Sequence, residues 1–485
     1  MGYERLSAQD ASFLHIESDA QPQHIGALAL FSAAPFLDAA GHVRLDDVRE
    51  AIAARLHLVP RFRKRIMSVL LEQGRPVWVD DDQFDLTYHV RLTALPRPGT
   101  EEQLKALMGR LQAQLLDRRR PLWELWFVDG VAGDRVALIQ KTHHCMVDGI
   151  SGIDIATVLF DLEANPAPAG APVWRPEPAP KPFELMVESI VERATEPAEL
   201  IRSARAALRG PKAAADRLAT LGRALSSAGK IAPKTPWNVP ISPHRRWENA
   251  RVSLAQAKAV KDAAKASGLA PGCSLNDVVL AVCAGALRSF LEAREAPVDG
   301  LVLKAGVPVS VRDESERGAL GNRVSLITAD LPIGEPDPRA RLRMIHEHMK
   351  EMKESGLAVS ADALLQMTNF LPPTILSRAA RLIVRQRTMN LGITNVPGPQ
   401  FPLYCMGARL LEAFPYVGII DNMGLTIAVL SYDGQLGFGI TGDRDVLPDL
   451  GMIADGIEKA AAELVAATAI APRPAKRATR KKAQP

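Results

Sequence analysis

Segments with strand character and segments with helical periodicity alternate along the chain, which predicts an α/β or α+β fold built on mixed sheets with helices. Two further observations shape that expectation. The chain has 485 residues, too long for one ordinary core and suited to two domains. Proline clusters at Pro166–Pro182 and at Pro233, Pro236, Pro240 and Pro243 then separate an N-terminal half from a C-terminal one.

Residues 8–16 have a helical pattern, and His24 to Phe31 alternates as a strand does. Arg44 to Leu58 carries Leu45, Val48, Ile52 and Leu56 on one helical face. Val77–Val79 and Leu86–Val90 have strand composition, and Glu101–Leu116 has the pattern of a long helix. Leu122–Val128 and Val136–Thr142 follow as strands, and Ile150 to Leu162 has apolar residues at helical spacing. The seven prolines between 166 and 182 exclude sheet and helix interior, so this stretch is expected as a surface connector. Leu185–Leu208 and Ala213–Leu225 look helical. Beyond the second proline cluster the chain predicts strands at Ala250–Leu254, Leu301–Val307, Val324–Asp330, Ile419–Asn422, Leu425–Tyr432 and Leu436–Thr441. Helices are expected at Ala255–Ser267 and Asn276–Arg294. The expected division is 1–165, 166–246, 247–470 and a disordered basic tail over 471–485.

The most informative stretch is His143-His144-Cys145-Met146-Val147-Asp148-Gly149. It falls where a strand ends and a helix begins, a common place for chemistry in sheet-based folds. An imidazole there can take a proton near neutral pH. Asp148 can cap the helix or pair with a cation, and Gly149 permits a turn that a side chain would block. The same pair could be core side chains or metal ligands. A zinc site would need two more ligands, and no nearby cluster offers them.

This heptapeptide resembles the HHxxxDG signature of the acyltransferase superfamily that includes chloramphenicol acetyltransferase and the condensation domains of peptide synthetases. Other stretches narrow the match: Leu6-Ser7, Asp10, Phe13-Leu14 and Gln23-His24-Ile25-Gly26 at the start, then Pro121-Leu122-Trp123-Glu124, Asn276-Asp277 and Asn395-Val396-Pro397-Gly398-Pro399. The ordered set, from about residue 5 to about residue 465, is similar to the bacterial wax ester synthase/diacylglycerol acyltransferase family. The resemblance implies two chloramphenicol-acetyltransferase-like domains with an active-site channel between them. It also implies transfer of a fatty acyl group from acyl-CoA, as substrate and not cofactor, to a long-chain alcohol or diacylglycerol. The second histidine of the signature is the superfamily's base, so that role falls on His144, with His143 positional. Asp148 is implied to pair with an arginine that holds the loop. Arg63, in Pro60-Arg61-Phe62-Arg63-Lys64-Arg65, is the candidate partner or else part of a solvated basic turn.

A tetrahedral intermediate needs a donor for its oxyanion. Asn276 is the candidate, though Ser274-Leu275-Asn276-Asp277 also has the form of a capping box. Pro121, Leu122 and Trp123 either shape the acyl channel or sit in core. The turn from Asn395 is expected to border the coenzyme A entrance. No metal or covalent intermediate is required, because a base suffices to activate a hydroxyl against a thioester. The competing expectations are an acyltransferase fed by a carrier protein and an idle lipid-droplet coat.

The four cysteines, Cys145, Cys273, Cys283 and Cys405, form no paired pattern, so neither a disulfide framework nor a thiolate site is expected. No signal peptide, myristoylation pattern or membrane-length apolar run is visible, which suggests a cytoplasmic protein that meets lipid from the surface. Of the net charge of +4, six positives lie in the tail (Arg473, Lys476, Arg477, Arg480, Lys481 and Lys482), leaving about −2 elsewhere. This argues against a nucleic-acid-binding body. The tail can hold the protein near anionic lipid or simply be solvated. Arg378, Arg381 and Arg385 form one face of a basic amphipathic stretch, Ile375–Arg387, which suits an inner-membrane or lipid-droplet surface or its own domain.

Overall fold

The computed structural model of the chain describes residues 3–72, 74–146, 159–166, 170, 172–191, 231–310, 324–354 and 388–469. Two six-stranded mixed sheets dominate it. In the N-terminal sheet the order is Tyr404–Cys405, Ala408–Val417, His24–Ser32, Arg135–His143, Trp123–Val131 and Val90–Ala94. In the C-terminal sheet it is Val324–Pro332, Val302–Ser310, Leu391–Pro397, Leu425–Tyr432, Gln435–Asp443 and Arg245–Ser253. A small sheet of Glu4–Arg5, Val77–Asp80 and Lys64–Met67 stands apart, covered by a helix over 182–191 through Leu185.

Each large sheet is mixed. Most pairs are antiparallel, but Val90–Ala94 runs parallel to Trp123–Val131, and Leu391–Pro397 runs parallel to both its neighbours. The C-terminal core is built around helix Leu275–Ala293, whose residues 277–287 are all buried. A helix apolar all round must be enclosed, and helices Leu254–Ala266, Pro338–Glu354 and Gly451–Thr468 enclose it. On the N-terminal sheet, helix Glu101–Ala113 starts from a Thr100/Gln103 capping box and packs Leu104, Leu107, Met108 and Leu111 against Leu28, Leu30, Ala137 and Ile139.

The two sheets meet along one seam. A Cβ at Gly437 would stand 2.2 Å from the Ala413 carbonyl oxygen, and one at Gly439 would stand 1.7 Å from that of Pro415. Only glycine lets these backbones approach so closely. Trp247 packs edge-on to Phe414 beside them. Arg251 pairs with Glu412 at 2.6 and 3.0 Å and with Glu101 at 3.1 Å, and Lys105 pairs with Glu248 at 2.8 Å. Strand Ala408–Val417 thus belongs to the N-terminal sheet although it comes late in the chain.

Several expectations change. Leu86–His89 is a short helix, not a strand, because Asp85 caps it by accepting the Thr87 N–H at 2.9 Å; the strand begins at Val90. Lys64–Met67 is a strand that directly follows the basic turn. Ile419–Asn422 forms only an isolated bridge, Ile420 to Met423, with Asn422 at φ 60°. Asn395 lies within strand Leu391–Pro397, and the turn starts only after it. The helix Pro338–Glu354 and strand Ala408–Val417 have no counterpart among the expected elements. Asp148, Gly149, most of the helix expected over Ile150–Leu162, most of the connector helices, the Ile375–Arg387 stretch and the basic tail lie outside the described residues.

Candidate active site

The histidine pair sits where the buried strand Arg135–His143 gives way to a 3-10 turn, His144–Met146. Both backbone amides are anchored. His143 N–H donates to the Leu122 carbonyl at 2.9 Å, and His144 N–H donates to the Gln23 carbonyl at 2.8 Å. The first anchor gives Pro121-Leu122-Trp123 its place in the site. Leu122 and Trp123 are core side chains, Trp123 donating to the Phe62 carbonyl at 2.8 Å and stacking on His89 at 4.4 Å. Their contribution to the histidines is made by the backbone.

His144 stacks on Phe13, with ring centroids 4.0 Å apart and planes 21° off parallel. Its Nδ1 is buried, while the residue as a whole keeps some exposure. Burial disfavours the imidazolium, and the neighbouring His143 adds to the effect, so His144 is held down to a pKa of about 4. At neutral pH it is an unprotonated imidazole, fixed in plane and able to accept a proton.

His143 is fully buried. Its Nδ1 accepts the Cys145 N–H at 3.1 Å, and its Nε2 lies 3.3 Å from Glu17 Oε1. The latter contact is close but poorly aligned as a hydrogen bond, since Nε2 has no well-directed partner. The ring of His24, the residue paired with His143 across the sheet, stands edge-on to it at 6.2 Å. Glu17 also takes Arg118, through Nε at 3.0 Å and a terminal nitrogen at 2.7 Å. Burial works against ionisation of Glu17. The side chains of His143, Arg118 and His24 around it outweigh this and hold the carboxyl at about 2. Glu17 and Arg118 carry no local motif that sequence reasoning could seize on. Arg118 and His143 each lie more than 100 residues from Glu17 along the chain, and only folding brings them to it.

Cys145 is wholly buried, and burial, with Asp10 and Glu17 nearby, pushes its thiol well above the usual range. A thiol so placed stays protonated and is a poor nucleophile.

Two other sequence candidates converge in the C-terminal half. Asn395 Nδ2 lies 3.5 Å from Asn276 Oδ1, joining strand Leu391–Pro397 to the start of helix Leu275–Ala293. Both residues are partly exposed. Asp277 points the other way. It is buried, completes a capping box with Ser274 and takes His346 Nδ1 at 2.9 Å. Asp277 therefore holds the helix start. The guanidinium of Arg63 lies 5.0 Å over the Trp174 ring with Asp80 nearby, while its expected partner Asp148 lies outside the described residues. Among the described residues no group of His, Cys, Asp or Glu is arranged to hold a metal ion. None of their helices is long and apolar enough to cross a membrane.

Comparison with known proteins agrees with this architecture. Residues 6–279 match the wax ester synthase/diacylglycerol acyltransferase catalytic domain, and residues 320–465 match the WS/DGAT C-terminal domain. A protein of Mycobacterium tuberculosis (strain CDC 1551 / Oshkosh) named as a diacylglycerol O-acyltransferase is 34% identical over 476 residues, covering 95% of this chain and 90% of the relative. The wax ester synthase/diacylglycerol acyltransferase from Marinobacter aquaeolei VT8 superposes with a TM-score of 0.67 at 29% identity, covering 96% of this chain and 100% of that one. A starter condensation domain of rhizomide synthetase, at a TM-score of 0.54 and 16% identity over 96% of this chain and 95% of that one, shares the fold alone. With both domain types matched in order along the chain, this protein is an O-acyltransferase that belongs to the wax ester synthase/diacylglycerol acyltransferase family.

Proposed function

We propose that the chain transfers a fatty acyl group from acyl-CoA to the hydroxyl of a long-chain alcohol, giving a wax ester, or of diacylglycerol, giving triacylglycerol, with His144 as general base. The observation that carries this reading is the neutral, Phe13-stacked imidazole of His144 at the end of its strand. It accepts the hydroxyl proton as the oxygen attacks the thioester carbon. The tetrahedral intermediate then expels the coenzyme A thiolate, which takes that proton back from the imidazolium. Asn276, its Oδ1 engaged by Asn395, is proposed to donate through Nδ2 to the oxyanion. Asp148 and Gly149 are proposed to shape the turn beyond Met146, with Asp148 holding the loop, by Arg63 or another cation. The domain division read from the sequence, with a channel between the halves, is part of the same proposal.

Release of free coenzyme A by purified protein, measured across long-chain alcohols and diacylglycerol with product analysis, tests this reading. Ester formation that needs a carrier-protein thioester, with none from acyl-CoA, would refute it.

Transfer is direct, without an acyl-enzyme. Cys145→Ala is expected to keep more than roughly half of the activity, since a buried, protonated thiol is no nucleophile. Intact mass after incubation with acyl-CoA alone should show no added acyl group. A stoichiometric adduct on Cys145 that is competent to turn over would overturn both direct transfer and the role given to His144.

The protein is proposed to work at the surface of an anionic membrane or lipid droplet. The six cations after residue 472, with no acid among them, support this. Deleting residues 472–485 should leave turnover of dispersed substrate intact and weaken sedimentation with anionic vesicles, and added salt should mimic the deletion. Equal sedimentation of both forms at low salt would dispose of it.

A further inference from the structure

The Glu17 side chain is 3% exposed, and its oxygens reach toward His143 of the motif and toward His24 across the sheet. Oε1 lies 3.3 Å from His143 Nε2 and 3.7 Å from His24 Nε2, and accepts the Gln23 N–H at 3.2 Å. Oε2 holds Arg118. Two short paths run onward. Through Gln23, whose carbonyl accepts the His144 N–H at 2.8 Å, Glu17 sets the backbone of the proposed base. Through the His143 ring, whose Nδ1 accepts the Cys145 N–H at 3.1 Å, it sets the next residue of the turn.

The second path also fixes a proton. A ring nitrogen that accepts an N–H bond carries a lone pair, so His143 holds its proton on Nε2, the atom that faces the Glu17 carboxylate. His24 is arranged differently. Its Nδ1 lies 3.3 Å from the Gln112 carbonyl, an acceptor, which places its proton on Nδ1. The carboxylate therefore faces one ring N–H at close range, that of His143 at 3.3 Å.

We propose that Glu17 is a positioning residue for acyl transfer: it locks His143 in the Nε2–H tautomer and holds both sides of the turn that presents His144. The proposal rests on the reading of His144 as base. An ion pair of Glu17 with Arg118 that served folding alone would leave kcat and the His143 tautomer indifferent to the carboxylate.

The test begins with the unaltered protein. Long-range ¹⁵N–¹H spectra of histidine-labelled protein, assigned with H143A and H24A, should show His143 protonated at Nε2 only; a proton on Nδ1 overturns the proposal. E17Q should lower kcat roughly 10- to 100-fold with KM for acyl-CoA and acceptor within about twofold, and should mix the two His143 tautomers. E17D should restore part of kcat. Wild-type kcat in E17Q, or a raised KM at constant kcat, overturns the proposal. Should E17Q not fold, E17D decides: lowered kcat at an unchanged melting temperature supports it, and unchanged kcat overturns it. An active H144A would sink the base assignment and leave the His143 tautomer standing, so the two failures are distinguishable.

Discussion

His144→Ala lowers turnover by roughly 10²–10⁴-fold, about 3–5 kcal/mol of barrier, while the protein keeps its fold. The side chain contributes a proton acceptor and a stacked ring. Its backbone anchor to Gln23 survives the substitution. Circular dichroism and melting temperature should therefore stay near those of the unaltered protein while coenzyme A release collapses. The intact protein carries a second signature. A general base works only unprotonated, and burial holds His144 to a pKa of about 4, below the ordinary 6.5. As pH falls, kcat/KM should stay level through 6.5 and drop only toward 4. A midpoint at 6.5 would mean that the imidazole is solvated in the working enzyme. Near-normal coenzyme A release by folded H144A would end the mechanism.

The histidine motif was legible in the sequence because its chemistry and its chain position coincide: a buried strand, then two imidazoles, then a turn. The strands on either side were legible for the same local reason, apolar residues in unbroken runs. What local pattern could not carry is pairing at a distance. Strand Ala408–Val417 has a mixed alternation, with Glu412 and Pro415 in it, and joins the sheet only because His24–Ser32 and the glycines of Gln435–Asp443 accept it. Helix Pro338–Glu354 is too polar to announce a core face, yet it buries Leu342, Ile345 and Met349, and its His346 reaches Asp277. Leu86–Val90 has strand composition, but one capping aspartate turned four of its residues into a helix. Of the site, Glu17 and Arg118 were invisible for the first reason. The resemblance pointed to the stretch around Glu17 without giving that residue work to do.

Trp123→Ala is expected to cost about 3–5 kcal/mol of stability, the range for removing a large buried aromatic side chain. Trp123 is 1% exposed, stacks on His89 at 4.4 Å, meets Phe62 at 5.1 Å and satisfies the Phe62 carbonyl. Its loss leaves a cavity and an unpaired carbonyl. The damage should also reach the chemistry, because the neighbouring Leu122 carbonyl holds the His143 N–H. Trp123→Phe keeps the aromatic packing but not the indole N–H. It should fall between the two, with a smaller loss of stability and most of the turnover retained. If Trp123 instead lined the acyl channel, the alanine variant would melt near the unaltered protein and change its acyl chain-length preference. Denaturant melts and chain-length profiles on the two variants separate these outcomes. The stack on His89 and the bond to Phe62 commit the indole to the core, so stability is the quantity that should move first.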